Sequence, residues 1–238
     1  MLTQLLVVPV AGMLAILFMP RRAERAIQAV ATIATGLVLA LSLKLLFAFQ
    51  PEAGLQFVEH RPWIPQFNVF YHVGVDGLNL PMVLLTALLG FLACISSWTI
   101  AERKKEYFAL YLLLEVGMLG TFLSLDLFLF YIFWEVVLVP MYFLIGIWGG
   151  GRREYSAFKF FVYTLAGSLG MLLGIVALYL RAHTLDLTRL AAMGHTFDLP
   201  FQQILFVAFF LGFAIKVPVF PFHTWLPDAH VDAPTPIS

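Results

Sequence analysis

The chain has 238 residues, 61% of them hydrophobic and 12% charged, with a formal net charge of zero and a mean hydropathy of +0.92. Too few polar side chains are present to cover a water-soluble globule, which leaves an all-α, polytopic transmembrane helix bundle. Its sparse basic residues form short clusters without the continuous stripe that nucleic acid requires; a lone Cys94 excludes an internal disulfide, and the lack of any CxxC or Cys/His cluster disfavours iron–sulfur, haem-thiolate and thiolate–zinc sites.

Hydropathy predicts about seven spans, at 3–19, 26–49, 79–99, 106–124, 127–147, 157–180 and 201–222, in a single transmembrane domain covering 1–238. The first span is followed directly by Pro20-Arg21-Arg22 and has no basic segment ahead of it, so it reads as retained and not as a cleaved signal. Residues 50–77 form the longest polar connection. Their alternating run Gln66-Phe67-Asn68-Val69-Phe70-Tyr71-His72-Val73 predicts a surface hairpin, with Trp63 and Tyr71 at the interfacial level. Loops after the first, third and fifth spans carry nine basic residues, including Arg103, Lys104, Arg152 and Lys159, against three in the opposite loops, Arg61, Arg181 and Arg189. The positive-inside rule then puts the N-terminus outside. Lys44 can snorkel to the headgroups from the outer end of the second span. The run Gly149-Gly150-Gly151 ends the fifth span as a flexible turn. The last residues stand where a new apolar segment is expected to start, so the sequence reads as part of a longer protein whose second half is absent.

The candidate site is a set of charges that a bilayer interior penalises. The turn between the fourth and fifth spans is centred on Ser124-Leu125-Asp126; ten residues on either side of it lie Glu115 and Glu135, each roughly 15 Å from the turn at helical rise. Both carboxylates are therefore expected at mid-membrane depth on neighbouring helices, where the low dielectric and their mutual repulsion favour a neutral, proton-carrying form. Lys216 is the candidate cation, and a Glu135–Lys216 pair that opens and closes would take up and release protons. Pro218 and Pro221 follow Lys216 and break its helix, and Pro140 loosens the helix that carries Glu135. In the polar stretch after the break, His223 is the preferred relay group, with His230 as a further candidate or a loop anchor. The two histidines lack metal-ligand spacing and no third ligand is evident, so no metal site is predicted. Tyr163, Thr164 and Ser168 give the sixth span a polar face suited to water or to helix packing.

Two long stretches carry a family resemblance: residues 127–149, containing Phe133-Trp134-Glu135-Val136-Val137-Leu138-Val139-Pro140, and residues 213–230, containing Lys216-Val217-Pro218-Val219-Phe220-Pro221-Phe222-His223. They closely resemble the antiporter-like, proton-conducting membrane subunits of NADH-quinone oxidoreductase, respiratory complex I, in the chain M or subunit 4 branch, and also the related antiporter subunits. The resemblance implies about fourteen helices in two inverted five-helix repeats, of which this chain holds the first half with a broken seventh helix. It implies that Glu135 is the essential glutamate of the fifth helix, Lys216 the central lysine of the broken helix and His223 a channel histidine. It further implies NADH, FMN, iron–sulfur clusters and quinone in other subunits and none of them here. The implied partners are neighbouring membrane-arm subunits, lipid, protons and internal water, in a bacterial inner membrane. A subunit of a multisubunit cation/proton antiporter and a purely architectural subunit are the alternatives.

Overall fold

The computed structural model describes all 238 residues. Six helices are long and apolar enough to cross a membrane: α2 (Glu24–Ala48), α3 (Asn79–Ser96, extended by a short turn to Thr99), α4 (Lys104–Leu123), the broken pair α5 (Leu127–Val136) and α6 (Leu138–Trp148), α7 (Arg153–Ala182) and α9 (Leu199–Lys216). A shorter apolar helix, α1 (Leu2–Phe18), precedes them, and two short helices, α8 (Leu187–Met193) and α10 (Trp225–Asp232), lie in the connections. The chain is thus an all-α polytopic membrane bundle. Residues 56–75 supply its one small sheet, an antiparallel hairpin of β1 (Gln56–Ile64) and β2 (Val69–Val75).

Proline interrupts two of the predicted spans, as its positions led one to expect. The span expected over 127–147 is interrupted at Val137, because Pro140 has no N–H to offer the carbonyl of Val136. The span over 201–222, expected to break at Pro218 and Pro221, is helical to Lys216, and the polar stretch beyond it contains the additional helix α10.

α4 is the most buried helix and the axis of the bundle, touching α1, α2, α3, α5 and α6. Close approach depends on glycine. A Cβ on Gly117 would lie 2.7 Å from Val137 Cγ2, and one on Gly120 would lie 2.2 Å from Phe133 Cγ, so α5 and the α5–α6 break sit directly against the α4 backbone. Several interior hydroxyls are satisfied within their own helices: Thr86 donates to the Met82 carbonyl, Thr121 to Gly117, Ser124 to Gly120 and Thr164 to Phe160.

The turn from α4 to α5 is held between the hairpin and the α7–α8 loop. The Leu125 amide donates to the His72 carbonyl at 2.8 Å and the Leu187 amide to the Leu125 carbonyl at 2.8 Å. Asp126 caps α5 by accepting from the Phe128 and Leu129 amides, while its other oxygen accepts from the Phe70 amide of β2 at 3.1 Å. Burial pushes its carboxyl above the usual range and these three amides pull against that rise. Asp126→Ala should therefore cost about 2 kcal/mol, seen as lower thermal stability of the full-length chain in its assembly; an unchanged melting profile would contradict this capping role.

Candidate functional site

The helix carrying Lys216 ends on it because Pro218 cannot donate to the Ala214 carbonyl. The Val219 amide takes that acceptor instead, at 2.8 Å, which leaves the Ile215 carbonyl without its helical partner. Trp225, the first residue of α10, supplies the missing donor through its indole Nε1 at 2.8 Å. α10 is in turn fastened to the start of α7: Lys159 pairs with Asp228 at 2.7 Å, and Ser156 donates to Asp232.

The Lys216 ammonium has no carboxylate partner. It sits over two aromatic faces, 5.2 Å from the Trp134 ring centroid and 5.7 Å from that of Phe160, an arrangement in which ring quadrupoles stabilise the cation. Phe213 packs edge-on against Trp134, and Phe160 packs against Trp225, so the lysine stands inside an aromatic enclosure built by α5, α7, α9 and α10. Glu135 follows Trp134 directly and occupies the last turn of α5 before the break at Val137. No Glu135–Lys216 ion pair is formed, and Glu135 Oε1 is buried without any hydrogen-bond partner.

Glu115 is 1% exposed, and neither of its carboxylate oxygens has a partner. It faces α3, where a Cβ on Gly90 would meet its Oε1 at 2.9 Å, and one turn earlier Tyr111 donates to the Gly90 carbonyl at 2.5 Å. Gly117, two residues on and about 200° around the helix, faces α5. Glu115 therefore points away from the side of α4 that meets α5, and the structure does not assemble the two glutamates into a carboxylate pair whose repulsion would favour neutrality.

His223 lies in the turn between the break and α10, stacked on Phe220 with its Nδ1 buried and unpartnered. His230 is exposed on α10 and its Nδ1 is 2.8 Å from Ser238 Oγ, which makes it a loop anchor in this structure. A cavity of about 580 Å³ lies between α3, α4, α6 and the α9–α10 region, its lining mostly apolar but including Tyr111, Lys216 and His230. Of all buried side-chain polar atoms, only those of Glu115, Glu135 and His223 lack partners. Three of the groups singled out from sequence are thus the interior's exceptions to polar satisfaction.

Sequence reasoning missed a second cluster. His60 Nε2 and His72 Nδ1 lie 3.6 and 3.1 Å from Asp186 Oδ2 at the hairpin end of the bundle. Burial pushes the His72 imidazole below its usual value, against the pull of the Asp186 charge. Burial acts to raise the Asp186 carboxyl, but hydrogen bonds from Thr188 and Arg189 outweigh it and hold the group below the usual range.

A family model described as "NADH:quinone oxidoreductase/Mrp antiporter, TM" matches residues 124–238, the segment that holds both helix breaks. The chain is 47% identical over 225 residues to NADH-quinone oxidoreductase subunit M of Rhodobacter capsulatus, covering 90% of this chain and 44% of the relative. It is 40% identical over 237 residues to NADH-ubiquinone oxidoreductase chain 4 of Arabidopsis thaliana, covering 98% and 48%. The chain spans less than half the length of these relatives. Its fold superposes on a chain of respiratory complex I from Thermus thermophilus with a TM-score of 0.86, 30% identity and coverage of 98% and 47%. A chain of the Mrp complex from Dietzia gives 0.85, with 25% identity and coverage of 100% and 26%.

Proposed function

This chain belongs to the NADH:quinone oxidoreductase/Mrp antiporter transmembrane family as an antiporter-like membrane subunit, partial relative to its full-length relatives, and on that premise we propose that it conducts protons in the membrane arm of an NADH-quinone oxidoreductase. The observation that carries this reading is the set of buried polar atoms with no partner, on Glu115, Glu135 and His223, in a bundle whose interior lysine is held by aromatic rings instead of a carboxylate. Uncompensated polar groups at membrane depth are costly and mark ion or proton paths.

In this reading Glu135 takes up the proton and Lys216 passes it on. The arrangement described corresponds in this reading to an open pair, with the Lys216 side chain over Trp134 and Glu135 Oε1 unpartnered. An alternation between closed and open arrangements of the pair passes one proton from Glu135 to Lys216 and onward toward His223 through ordered water. Glu115 is an accessory proton group on the α3 side, and His230 steadies the segment after α10. Pro140, Pro218 and Pro221 supply the loosened backbone. The partners are neighbouring membrane-arm subunits, lipid and internal water; NADH, FMN, iron–sulfur clusters and quinone belong to other subunits. The location is a bacterial inner membrane with the N-terminus and hairpin on the outer face, and residues 1–238 form the first half of the antiporter-like fold.

The test is NADH-driven proton uptake by inverted membrane vesicles in which the full-length chain carries Lys216→Ala, with assembly checked on the same sample. Loss of uptake in an assembled complex supports the reading. Full uptake removes Lys216 from the path. Recovery of the chain in a cation/proton antiporter with no NADH-oxidising subunits would make that transporter its proper setting.

A further inference from the structure

Both strands of the hairpin place an imidazole on one face. His60 and His72 are directly opposed in the antiparallel register, which brings side chains together on the same side of the sheet, and their ring centroids are 4.6 Å apart. Register shifts between Gln56 and Glu59 and between Pro62 and Ile64 bracket this paired stretch. Facing the rings is Asp186, the N-cap of α8, delivered by the loop that leaves α7.

Asp186 divides its carboxylate between two tasks. Oδ1 accepts from the Thr188 and Arg189 amides and from the Thr188 hydroxyl, which fixes the side chain in place. Oδ2 is the common neighbour of both imidazoles, at 3.1 and 3.6 Å. One ring nitrogen from each histidine and one carboxylate oxygen fall within 4.8 Å of one another. Ligands about 2.1 Å from a tetrahedral metal are separated by roughly 3.4 Å, which is near both imidazole–carboxylate distances, and the two ring nitrogens lie within 4.8 Å of each other.

We propose that His60, His72 and Asp186 form a binding site for a zinc-class divalent cation on the hairpin face of the bundle. The donor set of two imidazoles and one carboxylate suits borderline metals and not magnesium, which demands oxygen ligands and retains its water. His72 and Asp186 are almost fully buried, with side-chain exposures of 5% and 4%, whereas His60 is 36% exposed, so the metal enters from solvent along His60 and water fills the fourth position. The hydrogen bonds on Asp186 Oδ1 are the outer support that orients a ligating carboxylate. Asp126, spent on three backbone amides, adds a second negative charge nearby, and Arg189, over the Phe70 ring, opposes it. A bound cation ties β1, β2 and the α7–α8 loop into one unit and thereby pins the outer end of α5.

The test uses the full-length chain in its purified assembly, stripped with chelator, loaded with Zn²⁺ and freed of excess. Zinc per assembly is read by mass spectrometry and compared with His60→Ala and His72→Gln. The unmodified assembly should retain one equivalent more than either variant, with an affinity loss exceeding the roughly tenfold to hundredfold seen for outer-shell changes. Excess Mg²⁺ should leave it in place. His60→Ala removes the exposed ligand and keeps the decision open if His72→Gln fails to assemble. Equal zinc content and affinity in the unmodified and His60→Ala assemblies would overturn the site.

Discussion

Glu135→Gln in the full-length chain is expected to lower NADH-driven proton uptake by at least about tenfold, equivalent to about 1.4 kcal/mol on the limiting step, while the complex still assembles. The amide keeps the size of the carboxyl and can still donate and accept hydrogen bonds, so packing of α5 against α4 is preserved. What it removes is the capacity to exchange a proton and to attract the Lys216 ammonium away from the Trp134 face. The readout separates the two roles open to a buried carboxylate. A structural glutamate would show itself as lost assembly with normal uptake per surviving complex; a working proton group shows lost uptake with normal assembly. Uptake at the parent level in an assembled Glu135→Gln complex would end the relay as drawn here.

Gly120→Ala is expected to be the most damaging single-methyl change in the bundle. The new Cβ would lie 2.2 to 2.5 Å from three atoms of the Phe133 ring, distances that force α5 to move or the ring to leave its rotamer. Overpacking of this severity costs about 3 kcal/mol, and the chain should accumulate poorly or melt at lower temperature in its assembly. Phe133 is two residues from Glu135 on the same helix, so any surviving complex should also conduct less. Gly194→Ala is the matched control, since a Cβ there meets nothing within 4 Å. Equal thermal stability of the two variants would show that α4 and α5 are not packed this closely.

The bundle class was legible because bilayer energetics act on composition and on runs of apolar residues, both of which are visible along a single chain. The end of α9 was legible for a local reason: Lys216-Val217-Pro218 places the missing amide next to the charge. Glu115 was harder. Its depth follows from counting residues to Asp126, but its direction depends on which side of α4 meets α5, and the clue lay in Gly117 and Gly120, the small residues that admit a neighbouring backbone. The His60–His72–Asp186 cluster was not legible at all. His72 and Asp186 are 114 positions apart, and their meeting depends on the hairpin register together with the docking of the α7–α8 loop. Neither is encoded in a short motif.

The indole of Trp225 makes the lysine helix a lever whose far end lies in another segment. α9 does not wind on by another turn because Pro218 withholds its donor, and the Ile215 carbonyl left over is taken by a side chain ten residues further along. Any displacement of α10 therefore pulls on the backbone beside Lys216, and α10 is itself tethered to the start of α7 through the Asp228–Lys159 ion pair. The Asp228–Lys159 pair, α10 and the Trp225 indole thus join the start of α7 to the last turn of α9 through polar contacts.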